Sequence, residues 1–164
     1  MTTLFRNGFF WFAIISLILT DVLFVGIVFG YFSFGSVFGA YRLHHWLSWI
    51  GIVVIAIHLP IFIFVRRKYA SKIRLALGLH VIGNLLSYLI ITIHFASQIS
   101  RPANFYPDLG TGVAQYIFLI ILITTGFLQR FNIFSSYRKK FLFLHRSSIF
   151  ALLIIIVFHI LHGI

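Results

Sequence analysis

Five long apolar runs determine the solvent in which this chain folds. They cover roughly residues 8–34, 41–65, 73–99, 112–131 and 141–164. A helix crossing the ~30 Å hydrocarbon layer of a bilayer needs about 20 apolar residues. Inside that layer only a helix or a closed barrel satisfies its own backbone. The chain has 164 residues, 61% hydrophobic and 9% charged. A water-soluble domain of this size lacks the interior volume to hide so much apolar surface. The expected fold is an all-α integral membrane protein of about five transmembrane helices. It forms a single domain over 1–164, with spans two to five packed as a four-helix bundle. The first run is too long for a signal-peptide core and lacks a small-residue cleavage pattern, so it reads as a retained span.

The connections carry the charge. The net charge of +11 first suggests nucleic acid, but the cations sit in short segments between apolar runs, where membrane topology places them. No nucleic-acid partner is expected. Arg66, Arg67, Lys68, Lys72 and Arg74 lie between spans two and three; Arg130, Arg138, Lys139 and Lys140 lie between spans four and five. The opposite connections hold Arg42 and Arg101. The positive-inside rule then puts the amino terminus in the cytoplasm and the carboxyl terminus outside a plasma membrane. The segment from Arg101 to Asp108 contains two prolines and an asparagine, which forbid a continuing helix. Its Phe105 and Tyr106 suit an interfacial aromatic belt or a docking partner. The chain has no cysteine, which excludes thiolate metal sites, covalent haem attachment and disulfides.

Eight histidines occur in the chain, where hydrocarbon makes an unpartnered imidazole costly. Six form pairs at one spacing: His44 and His58, His80 and His94, His145 and His159 are each fourteen residues apart. Fourteen residues are close to four helical turns. The two rings of a pair lie within roughly 40° on one face, about 21 Å apart along the axis. Alternating span direction sorts them into layers, with His58, His80 and His145 toward the cytoplasm and His44, His94 and His159 toward the outside. Each layer has the two neutral imidazoles that a six-coordinate haem iron requires, and one to spare. Gly83, Ser148, Ser48 and Gly51 leave room on these faces for a flat macrocycle. Arg42, Arg74, Arg101 and Arg146 are candidate propionate contacts. His45 falls off the shared face and is expected at the surface or in an interface.

These residues resemble transmembrane cytochromes b. The third span, His80-Val81-Ile82-Gly83 through His94, looks like the first ligand helix of the bis-haem cytochrome b of quinol-oxidising respiratory complexes. The fifth span, Leu144-His145 through His159-Ile160-Leu161-His162-Gly163, looks like its second ligand helix. The second, Arg42-Leu43-His44-His45-Trp46-Leu47 through His58, resembles the ferric reductase and NADPH oxidase transmembrane superfamily. The resemblance covers roughly residues 41–164. It implies an inner haem b on His80 and His145 and an outer one on His94 and His159. The pair on span two departs from both patterns. His44 and His58 replace one of the other pairs, support a third haem, or act behind the ligands. No stretch reads as a nicotinamide- or flavin-binding domain. The resemblance therefore implies an electron-transfer subunit of a larger respiratory or reductase complex rather than a stand-alone enzyme, exchanging electrons with quinone, quinol or an external redox protein.

Asp21 lies within the first span and is one of two acids in the chain. An intramembrane acid is a candidate for proton handling at a quinone site; the plainer alternative is an acid kept neutral by hydrogen bonds to a neighbouring helix. Gly26 and Gly30, and Gly35 and Gly39, have the small-xxx-small spacing of helix contacts. Two other function classes stand beside the cytochrome: a histidine-lined proton or ion conductor, which requires a continuous polar path, and a haem-free structural membrane subunit.

Overall fold

A computed structural model describes residues 8–102 and 109–163. Among the described residues, five helices are long and apolar enough to cross a membrane: α1 (Gly8–Val28), α2 (Leu43–Lys68), α3 (Ile73–Ile99), α4 (Leu109–Arg130) and α5 (Arg138–Gly163). Large apolar side chains are exposed on their outer faces, among them Ile15, Val22, Ile57, Leu75, Phe150 and Ile154. Water would penalise such a surface, whereas lipid tails solvate it. The protein is an all-α, multi-pass membrane protein. The segment holding Phe105 and Tyr106 lies outside the described residues.

The chain divides into two compact units. One comprises residues 16–100, with most of α1, all of α2 and all of α3. The other comprises the described residues 8–15 and the chain from 101 onward, with α4 and α5.

In the α2–α3 unit the first helix stops at Val28, six residues short of the apolar run. The reason is local. Gly30 takes a left-handed φ of 78°, and the backbone closes with Tyr31 N donating to Gly26 O (2.7 Å) and Gly30 N to Ile27 O (3.1 Å). This paired closure satisfies the last carbonyls of a helix and favours glycine at its left-handed residue. Phe32 then folds back against Gly26, where a Cβ would collide with its ring. Gly26 and Gly30 thus end a helix rather than join two. Gly35 and Gly39 lie outside helices as well. Gly39 (φ 66°) is in the turn of a small hairpin pairing β1 (Val37–Phe38) with β2 (Tyr41–Arg42). The hairpin serves the start of α2. Leu43 N donates to Ser36 O (2.8 Å) and His44 N to Phe34 O (3.3 Å), so two N–H groups that a helix start leaves without partners are satisfied. Trp46 Nε1 donates to Phe38 O (2.8 Å).

Helices α2 and α3 are joined by a single 3₁₀ turn at 70–72 and pack along their lengths. Small residues on α3 permit this: Ala76, Gly83, Ser87 and Ala96 are all buried. Ile27, Ile93 and Ala96 form a core, flanked by Leu23, Phe24, Val28, Phe34, Leu47 and Leu89.

In the α4–α5 unit, α4 ends like α1 but with asparagine as the left-handed residue. Asn132 (φ 53°) donates its N–H to Gln129 O (3.3 Å), and Ile133 N donates to Leu128 O (2.9 Å). Asparagine is the non-glycine residue that tolerates this conformation best. A 3₁₀ turn at Ser135–Tyr137 leads into α5. Phe10, Phe127 and Phe131 pack ring against ring, with centroids 4.8–5.7 Å apart.

Candidate functional site

The antiparallel hairpin of α2 and α3 brings histidines together at both of its ends. Near the start of α2, His44 is 1% exposed, and its Nδ1 lies 3.3 Å from His94 Nδ1. One of these nitrogens carries the hydrogen and the other accepts it. Burying a polar ring in hydrocarbon requires such a partner. His45 joins them. Its ring centroid is 4.2 Å from His44 and 5.2 Å from His94, and Gln98 Nε2 donates to its Nε2 (3.2 Å). His45 is therefore half-buried within the cluster, in the interface of α2 with α3, the second of the two places expected for it. Consecutive helix residues diverge by about 100°; His94 sits almost equally far from both rings, so the seam with α3 runs between them. One nitrogen from each of the three imidazoles falls within a 4.8 Å span.

At the other end His58 faces His80, with centroids 5.3 Å apart. Asn84 bridges them, its Oδ1 3.0 Å from His58 Nε2 and its Nδ2 3.1 Å from His80 Nε2. His58 Nδ1 donates to Val54 O (2.6 Å), one turn back on its own helix. The His58 ring rests on Gly83, where a Cβ would come within 2.9 Å of its Cγ. Phe62 stacks on His80 at 4.5 Å. Gly51 receives the Ile91 side chain, which would be 2.8 Å from a Cβ there. Gly51 and Gly83 thus accommodate side chains in this structure, where space for a macrocycle was the expectation.

In the α4–α5 unit the other pair finds partners on α4. His145 Nδ1 lies 3.0 Å from Thr125 Oγ1 and 3.2 Å from Leu122 O. His159 Nδ1 lies 2.9 Å from Thr111 Oγ1. Gly126 and Gly112 follow these threonines, and Cβ atoms there would stand 3.3 Å and 3.5 Å from the Cε1 atoms of His145 and His159. Ser148, one turn past His145, is buried.

The pairing expected from resemblance draws one member from each unit: His80 and His94 from one, His145 and His159 from the other. Within its own unit the structure sets His80 against His58 and His94 against His44. The four candidate propionate cations lie near helix ends or beside a candidate ligand. Arg42 closes the hairpin, Arg74 is in the first turn of α3, Arg101 follows α3, and Arg146 adjoins His145. Asp21 is exposed on α1, next to the buried Thr20.

In the sequence Asn84, Gln98 and Gln115 suit a quinone pocket or interhelical hydrogen bonds but are not marked as partners of the histidines, though a signal was present. Asn84 and Gln98 are fourteen residues apart, each four after a histidine of α3. Thr111 and Thr125 are also fourteen apart, and so are Gly112 and Gly126. Each repeat keeps step with a histidine pair on the helix it faces or occupies.

The donor set is all imidazole, supported by amides and hydroxyls, at two depths in each unit. Such a set fits haem iron or a bare transition-metal ion and excludes a hard-cation site built from oxygen ligands. Comparison with protein-family models, curated proteins and solved structures finds no match to this chain.

Proposed function

We propose that this protein is a b-type cytochrome that carries electrons through a membrane between two haems, one near each face. The observation that carries the reading is the recurrence of histidines at two depths, about 21 Å apart along the helix, each held by a side chain of the helix packed against it. Haem iron bound at both depths supplies one-electron redox centres separated by a short hop. The chain's own work is to hold the iron by neutral imidazole and to keep water away from it. The inner ligands are His80 with His145, and the outer ligands His94 with His159. His58 and His44 stand behind His80 and His94, or replace one ligand at their level. Arg42, Arg74, Arg101 and Arg146 suit the propionates.

The chain functions as a subunit of a larger respiratory or reductase complex in the plasma membrane, with the α2–α3 and α4–α5 connections in the cytoplasm. It exchanges electrons with quinol or an external redox protein. The exposure of Asp21 on α1 suits a quinone arriving from the lipid phase and needing a proton. The decisive experiment is a reduced-minus-oxidised spectrum of the purified protein with a haem-to-protein ratio. A b-type band with two haems per chain is expected. His80→Ala should cost the inner haem and leave the outer. A protein that stays colourless after haem supplementation refutes the reading.

One observation favours a second reading at the outer end: three imidazoles converge there, one more than an axial haem pair uses. That set suits a single copper or zinc ion. Metal analysis separates the two, because this reading requires one haem and one non-haem metal per chain, with the metal lost in His45→Ala.

A further inference from the structure

The cytochrome reading assigns iron to His145 and His159 without saying which ring nitrogen meets it. The α4–α5 unit answers that question, and the inference rests on that reading.

At His145 the proton can be located by elimination. Leu122 O is a carbonyl and only accepts, so the Nδ1 that approaches it at 3.2 Å bears the hydrogen. Thr125 Oγ1 gives its own proton to Ile121 O (2.6 Å), which leaves its lone pair to accept from the same Nδ1–H at 3.0 Å. A neutral imidazole with its hydrogen on Nδ1 has its lone pair on Nε2. Gly126 flanks the ring at Cε1, where a methyl group at 3.3 Å would press it out of position. At His159 the hydroxyl contact and the flanking glycine recur, Nδ1 lying 2.9 Å from Thr111 Oγ1 with Gly112 beside its Cε1, and the proton is placed there by analogy with His145. Two Thr-Gly steps on α4 thus meet two histidines on α5, each pair fourteen residues apart, across an antiparallel seam. Chance packing has no reason to repeat the same residue types at the same period on facing helices.

We propose that Thr125 and Thr111 are positioning residues that fix His145 and His159 in the Nδ1–H form, so that Nε2 is the iron ligand at each depth. A hydrogen bond from Nδ1–H also makes the imidazole a stronger donor and favours ferric iron. Its loss shifts that haem toward the reduced state.

The test uses the full-length, haem-loaded protein in detergent, with redox titration and low-temperature electron paramagnetic resonance of the ferric haems. Thr125→Val keeps shape and removes the nearer of the two acceptors, leaving Leu122 O; Thr125→Ser keeps the hydroxyl. Thr125→Val should raise the midpoint of one haem, by about threefold in its one-electron equilibrium (a tenfold change is ~59 mV), and move that haem's resonance. Thr125→Ser should restore both, and Thr111→Val should shift the other haem. If Thr125→Val does not assemble, Gly126→Ala reads the same haem by displacing the ring, and must move its resonance. Haems present in wild type with unaltered potentials and resonances in these variants would overturn the inference and leave the cytochrome reading intact. Absence of haem from wild type overturns both, and is read before any variant is made.

Discussion

Gly83 and Gly78 are the same residue on one face-sharing helix, α3, yet they do opposite things. A Cβ at 83 would meet the His58 ring at 2.9 Å, whereas nothing lies within 4 Å of one at 78. Gly83→Ala forces an aromatic ring and its bond to Val54 O to shift, an overpacking cost of about 1–3 kcal/mol. Gly78→Ala adds helix propensity without a clash and should be neutral or stabilising by up to about 1 kcal/mol. Thermal unfolding of the two variants in detergent measures the difference, and equal midpoints would refute the packing account. The histidines were legible from sequence because imidazole is rare and costly in lipid. Their partners were not, because asparagine, glutamine and threonine are common helix-packing residues. Only the antiparallel seam shows that Asn84 reaches two rings and Thr125 one. Asn84→Leu removes one interhelical hydrogen bond, to His58, and one within α3, to His80; an interhelical bond averages about 0.6 kcal/mol in a bilayer. A loss of roughly 1 kcal/mol in stability is expected, and a gain would mean that the bridge is not formed.

At the scale of elements, existence and order were readable and ends were less so. Hydropathy measures only how long an apolar run is, and the first run continues to Phe34 while its helix ends at Val28. What stops α1 is the backbone closure around Gly30 at φ 78°, whose signal is a single glycine within an apolar stretch. Asn132 does the same for α4 at φ 53°. These two stops respond differently to substitution. Gly30→Ala places a Cβ in the left-handed region and should cost about 1–2 kcal/mol. Asn132→Gly relieves the same strain and should leave stability equal or slightly higher. Side-by-side unfolding curves decide the matter; destabilisation by Asn132→Gly alone would show that its side chain, rather than its backbone, ends the helix.

For the molecule as a whole, the charge distribution makes a statement that no helix makes alone. Five cations at the junction of α2 with α3 and four at that of α4 with α5, most of them in the terminal turns of these helices, stand against Arg42 and Arg101 at the opposite connections. In a chain of alternating spans, the two rich connections share a side. The orientation proposed above puts that side in the cytoplasm, where the negatively charged inner leaflet and the membrane potential favour cations. A chain without cysteine is well suited to a direct test, because any single introduced thiol is the only target for labelling. Ser71 and Ser136 lie exposed in the turns of the two basic connections, and Ser36 lies exposed before the hairpin. In intact cells, Ser36→Cys should react with a membrane-impermeant maleimide, while Ser71→Cys and Ser136→Cys should react only after permeabilisation. Reversed labelling would exchange the faces proposed for His80 and His94. Labelling that separated Ser71 from Ser136 would break the span count itself, and with it the two-layer sorting on which the haem assignment depends.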